Sequence, residues 1–172
     1  MNRSYVVTFI LLLVAQTLLC NFMHLTRFLY PAILPAMIVM LPTKRNTISA
    51  LFIAFICAMV VDLFADGVAG LNTLALLPVA FLRKELIRLI FGNEVYARGE
   101  DISMTKGGFV KMSALLIIVL SIFLAIYIVA DGAGTRPLWY DGIRFGVSLV
   151  FSYAASLMVC YFLDTEPATR WK

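Results

Sequence analysis

Residues 47–66 read TISALFIAFICAMVVDLFAD, and the fold turns on what this stretch is. From Thr47 to Val61 it carries no charge; Asp62 and Asp66 then follow one turn apart. A bilayer core about 30 Å thick needs about 20 mostly apolar residues per helix, and residues 47–65 supply one such span. Within it Ala50, Ala54 and Ala58 recur every four residues, and Asp62 and Asp66 continue that register. Small residues at this spacing let a neighbouring backbone come close, which is how membrane helices associate without a hydrophobic driving force. One stripe thus runs from a packing seam into two carboxylates. Those carboxylates are expected to hydrogen-bond the turn around Gly67 and Gly70, with a binding role as the alternative.

The rest of the chain reads the same way. Of 172 residues, 62% are hydrophobic and 14% charged, with a mean hydropathy of +0.95. A soluble domain is typically about 25% charged, so a soluble chain this poor in charge could not cover its own core, and disorder demands the opposite composition. The expectation is an all-α polytopic membrane protein, one transmembrane domain over residues 1–172. Six spans are predicted at about 5–23, 28–42, 47–65, 68–91, 110–130 and 143–163. The second is short and carries Pro31, Pro35 and Pro42, so it is expected to be a broken helix buried in the bundle, its freed backbone groups satisfied by neighbours. Five spans result if it is re-entrant. The first span follows Arg3 as a signal peptide would, but Leu18 and Leu19 before Cys20 fit no lipoprotein site and no small-x-small cleavage site follows.

Lys and Arg counted by alternate loops set the orientation. One side holds Arg3, Lys44, Arg45, Arg83, Lys84, Arg88, Arg98, Lys106, Lys111, Arg170 and Lys172; the other holds only Arg27, Arg136 and Arg144. Both termini are therefore expected in the cytoplasm. The basic residues lie between apolar runs, so topology accounts for them and no nucleic acid is implied. Arg83, Lys84 and Arg88 end the fourth span and read as a cytoplasmic basic segment that snorkels to headgroups or meets a partner. The loop of residues 92–109 mixes both signs and is the largest soluble piece.

Other residues divide between packing and chemistry. Ser148, Ser152, Ser156 and Cys160 form a second stripe, suited to interhelical hydrogen bonds or to a partner-facing seam. Trp139 and Tyr140 read as an interfacial belt, and Asp131 to Gly134 as a turn. Three cysteines with no C-x-x-C pair suggest neither a disulfide framework nor a zinc site. The lone His24 has no second ligand near it, and no nucleophile elbow, metalloprotease pair or phosphate-cradling loop is present. The Asp62-x-x-x-Asp66-Gly67 run resembles membrane phosphotransferases only in part, lacking their Ala-Arg pair and further aspartates. No enzyme activity, metal or cofactor is expected.

From Pro31 the chain continues through Ala54-Phe55 to Asp62-Leu63-Phe64. It then reads Gly67-x-x-Gly70-Leu71-Asn72-Thr73-Leu74, leading to Val79-Ala80-Phe81-Leu82-Arg83. This resembles the bacterial rod shape-determining protein family MreD, whose pattern is an apolar helix with a terminal Asp, a glycine turn, Gly-Leu-polar-small-Leu and a helix ending aromatic-Leu-Arg. The specific part is residues 31–83; Gln16 and the six-span layout also fit. Ala58-Met59 stands where the family often has Gly-Leu, and Asn72 replaces a frequent His or Ser. The resemblance implies a non-catalytic subunit of the cell-elongation machinery in the bacterial inner membrane. Its implied partners are an MreC-like bitopic protein, MreB filaments, and a RodA-type glycosyltransferase with its transpeptidase. The family is also similar in fold to substrate-binding subunits of energy-coupling-factor transporters. Vitamin capture is therefore the alternative, with Asp62, Asp66, Asn72, Asp131, Tyr140 and Asp141 as anchors.

Overall fold

The computed structural model describes residues 3–23, 29–43, 45–66, 69–92, 108–132 and 136–164, which are helix, turn or irregular with no sheet among them. Six helices follow in order among the described residues. They are α1 (Arg3–Met23), α2 (Leu34–Val39), α3 (Thr47–Val61), α4 (Leu71–Phe91), α5 (Phe109–Gly132) and α6 (Leu138–Asp164). A π-turn, Asp62–Asp66, extends α3. Three helices are long and apolar enough to cross a membrane, Thr47–Ala65, Phe109–Gly132 and Leu138–Phe162, and Val6–Phe22 is a shorter apolar one. α4 is 21 residues long, about 31 Å, but Arg83, Lys84, Glu85 and Arg88 interrupt its last turns.

The segment expected as a broken second span is extended from residue 29 to Ile33 and helical for only six residues. Pro35 falls in the first turn of α2, where the missing N–H costs no intrahelical bond. The unwinding therefore lies upstream, at Pro31, rather than around Pro35. Every residue from Tyr30 to Val39 is buried, and α2 touches each of the other five helices. The described helices are built around this irregular segment.

That arrangement places seven backbone N–H and C=O groups in the interior without a helical partner. Side chains of other helices satisfy them instead. Gln16 of α1, fully buried, donates from Nε2 to the Pro31 carbonyl (2.7 Å) and accepts the Ile33 N–H on Oε1 (2.9 Å). Ser148 of α6 accepts the Tyr30 N–H (2.9 Å). One turn on, Ser152 accepts the Ala32 N–H (2.8 Å) and donates to the Tyr30 carbonyl (3.2 Å). At the other end of α2, where helical carbonyls are orphaned, Arg83 of α4 donates from Nε to the Val39 carbonyl (3.3 Å) and from its terminal nitrogen to that of Leu41.

Two meeting points fix the direction of the segment. Tyr30 bonds Asn72 and Leu41 bonds Arg83, so residues 30–41 run alongside the first three turns of α4, about 16 Å. α3 then returns over its 15 residues, about 22 Å, to bring Asp62 back to Asn72. Residues 30–46 therefore cover the axial length of α3. Away from this core the helices show apolar side chains outward, among them Leu11 and Phe22 of α1, Phe52 and Ile56 of α3, and Val150 and Phe162 of α6.

Replacing Gln16 by Leu leaves the Ile33 N–H buried and unpaired and the Pro31 carbonyl with only the long Cys20 thiol contact at 3.9 Å. A loss of about 2–4 kcal/mol is expected, from one orphaned group at about 1–3 kcal/mol and one weakened hydrogen bond at about 1 kcal/mol. Thr17→Val, which removes only a bond to the carbonyl of Leu13 in the same helix, should change stability by less than about 0.5 kcal/mol. Thermal unfolding in detergent, followed by thiol labelling of the buried Cys20, Cys57 and Cys160, measures both. Equal midpoints for the two variants would refute the clamp.

Candidate functional site

Asp62 is the centre of the polar chemistry. It starts the π-turn and has no exposed surface. Its Oδ1 accepts the Asn72 N–H (2.8 Å) and Asn72 Nδ2 (3.0 Å); its Oδ2 accepts Gly70 N–H (3.0 Å), Thr73 N–H (3.2 Å) and Thr73 Oγ1 (2.9 Å). Five donors converge on one acceptor-only group. The local reason is α4's first turn. Its N-cap is Gly70 at φ +103°, a conformation glycine tolerates, and glycine has no side chain to cap with. Asp62 takes over that role from another helix, accepting the second and third N–H groups as an N-cap side chain would, with its charge at the positive end of the helix dipole.

The turn connects to the buried segment through one residue. The Tyr30 hydroxyl donates to Asn72 Oδ1, and its ring stacks on Tyr127 at 4.0 Å, with Phe123 beyond at 6.4 Å. Asp62, Asn72 and Tyr30 then link to Ser148 and Ser152 through the Tyr30 backbone. Four helices and the extended segment share this network. Leu71 opens α4 half-buried against the core. Asp66 closes the π-turn, but its side chain lies outside the described residues, as do Gly67, Lys44, His24 and residues 93–107.

Several expected surface features lie inside. Ala50, Ala54 and Ala58 are at most 1% exposed, so this seam packs within the bundle and offers no surface to an outside partner. Ser148, Ser152 and Ser156 are likewise fully buried; the first two hold the extended segment and no partner-facing seam is left there. Arg83 does not snorkel. It is 1% exposed and its guanidinium caps α2, whereas Arg88 is exposed and pairs with Glu85 at 3.1 Å. Lys84 is half-buried between them.

At the Asp62 end a second polar cluster joins α5 to α6. Asp131 Oδ2 accepts from Arg136 (2.7 Å) and from Arg144. The Asp141 carboxylate lies against Gly132, where an added Cβ would sit 3.5 Å from Oδ2. Of the proposed ligand anchors, Asp62 and Asn72 are consumed by the turn, and Asp131 by its arginines. Among the described residues no group of three or more His, Cys, Asp or Glu could hold a metal. Tyr30, Thr73 and Arg144 carry weight that sequence reasoning did not give them. A Tyr before Pro in an apolar run, and an Arg four residues before the serine stripe, were the available signals.

Asp62→Asn exchanges one acceptor oxygen for an N–H donor facing donors. A loss of about 2–4 kcal/mol is expected from at least two unpaired groups, read as a lowered unfolding midpoint. Gly70→Ala, with nothing within 4 Å of its Cβ, should cost only the backbone term, about 1–2 kcal/mol. A Gly70→Ala midpoint as low as that of Asp62→Asn would overturn the assignment of the cap to the carboxylate.

No protein-family model, curated protein or solved structure matches this chain.

Proposed function

We propose that this chain is a non-catalytic membrane subunit of the bacterial cell-elongation machinery, acting by binding an MreC-type bitopic protein and the enzymes of peptidoglycan synthesis. One observation carries the reading furthest. The polar groups freed by the unwound second segment, and those around Asp62, are taken up by side chains of the same chain. In transporters the unwound backbone of a discontinuous helix is what coordinates cargo; here Gln16, Ser148, Ser152 and Arg83 occupy it. What the bundle offers outward is apolar helix surface, which suits lateral association with other spans. The Pro31-to-Arg83 pattern described above supports the same family.

In this proposal the protein lies in the inner membrane with both termini cytoplasmic, following its Lys and Arg distribution. Residues 29–43 are then the second of six crossings, supported by the axial length they cover beside α3 and α4. The second reading, a substrate-binding subunit of a vitamin-type energy-coupling-factor transporter, draws on the polar cluster of Asp131, Asp141 and Arg144.

Affinity purification of the tagged chain from its native membrane separates the two. An MreC-like bitopic protein is expected to copurify, and depletion of the chain should turn rod-shaped cells round. Copurification of ATPase subunits with a transmembrane coupling protein, and unchanged cell shape on depletion, would overturn the proposal.

A further inference from the structure

The cluster at the α5–α6 corner is incompletely satisfied. Arg144 is only 9% exposed, and its Nε is sealed from solvent with no hydrogen-bond partner among the described residues. Asp141, one turn before it on α6, has its Oδ1 sealed and unpartnered as well. Residues three apart on a helix are neighbours, about 5–6 Å between Cβ atoms. They do not pair with each other, because Arg144 reaches to Asp131 of α5, which also holds Arg136. Leaving a buried N–H and a buried carboxylate oxygen unmatched is costly. A ligand that offers an acceptor to one and a donor to the other would remove both costs.

The charge of the corner narrows the ligand. Two carboxylates face two guanidinium groups, so neither a simple anion nor a simple cation leaves the site balanced. A zwitterion does. Guanidinium groups match phosphate geometry, and a primary ammonium supplies donors to a carboxylate. The level is that of the membrane interface. Asp131 and Gly132 end the apolar span Phe109–Gly132, and Trp139, 67% exposed, and Tyr140 lie beside the cluster as interfacial aromatics do.

We propose that Asp141, Arg144 and Arg136 form a site for a phosphoethanolamine group, with the ammonium on Asp141 and the phosphate on the unpartnered Arg144 Nε and the half-exposed Arg136 guanidinium. A two-carbon spacer suits carboxylate and guanidinium one turn apart. A choline headgroup fits poorly because its quaternary nitrogen has no N–H to donate. A glycerol headgroup lacks the cation altogether. The inference stands whichever partner the bundle serves.

Native mass spectrometry of the detergent-purified chain, titrated with phosphatidylethanolamine, phosphatidylcholine and phosphatidylglycerol, tests it. The ethanolamine lipid should be retained at least about tenfold over the other two, the worth of one charge-assisted hydrogen bond. Asp141→Asn should abolish that preference while keeping the elution volume of the folded protein. If this variant does not fold, the half-exposed Arg136→Gln decides: weaker retention of the ethanolamine lipid supports the site, and unchanged retention overturns it. Equal retention of all three lipids by the wild type, or an unaltered preference in folded Asp141→Asn, overturns it too. Free phosphoethanolamine distinguishes the source. If it displaces the lipid, the site recognises the group in soluble form as well; if it does not, the site belongs to the membrane lipid.

Discussion

A peptide group buried in an apolar interior must find a hydrogen bond, and between Tyr30 and Ile33 the local backbone provides few. This constraint organises the molecule. Pro31 has no N–H and holds its neighbour extended, so the chain enters the core unwound. Gln16, Ser148 and Ser152 answer for the exposed N–H and C=O groups, which fixes α1 and α6 on opposite sides of the same four residues. Arg83 answers for the far end of α2 and ties α4 to it. Had the segment been a continuous apolar helix, none of these polar side chains would have had reason to point inward.

The same logic of borrowed caps explains the Asp62 turn. α4 begins at a glycine that cannot cap, and α3 ends in a π-turn that presents a carboxylate to the vacant N–H groups. π-turns occur mostly as single turns within α-helices, often at functional sites. Tyr30 joins the two systems, since its backbone belongs to the first and its hydroxyl to the second. A disturbance at either reaches the other through one residue. Coupling of this kind also limits slippage: the serines are spaced four residues apart on α6, their partners two apart on an extended strand, and a shift of either would unmake several bonds together.

The sequence made the bundle legible and left its interior largely hidden. Apolar runs near 47–65, 110–130 and 143–163 read directly as helices because length and composition suffice for that. The proline-rich segment read as broken because Pro31 and Pro35 are local signals. What hydrogen-bonds to it did not follow, because partners 15 to 122 residues away in the chain are set by tertiary contact. Arg83 is the instructive case. A charge near a helix end reads as a headgroup anchor, and only the neighbouring carbonyls of Val39 and Leu41 make burial the cheaper outcome. Ala50, Ala54 and Ala58 likewise read as a seam from spacing alone, but spacing does not say which neighbour uses it.

These internal commitments bear on how such a chain can recognise anything. In the proposed role the polar side chains of the inner network, Gln16, Ser148, Ser152 and Arg83, are spent on the backbone, so recognition of a protein partner within the bilayer falls to the shape of outward apolar faces. Dispersion and close packing, not hydrophobicity, drive association there. Each contact is then individually weak, and selectivity depends on a rigid template. The buried network supplies that rigidity: a helix held by Gln16 or by a pair of serines cannot roll without orphaning a peptide group. The bundle's irregular second segment thus stiffens the surfaces around it, and its cost in unwound backbone becomes a constraint on every helix that a partner could touch.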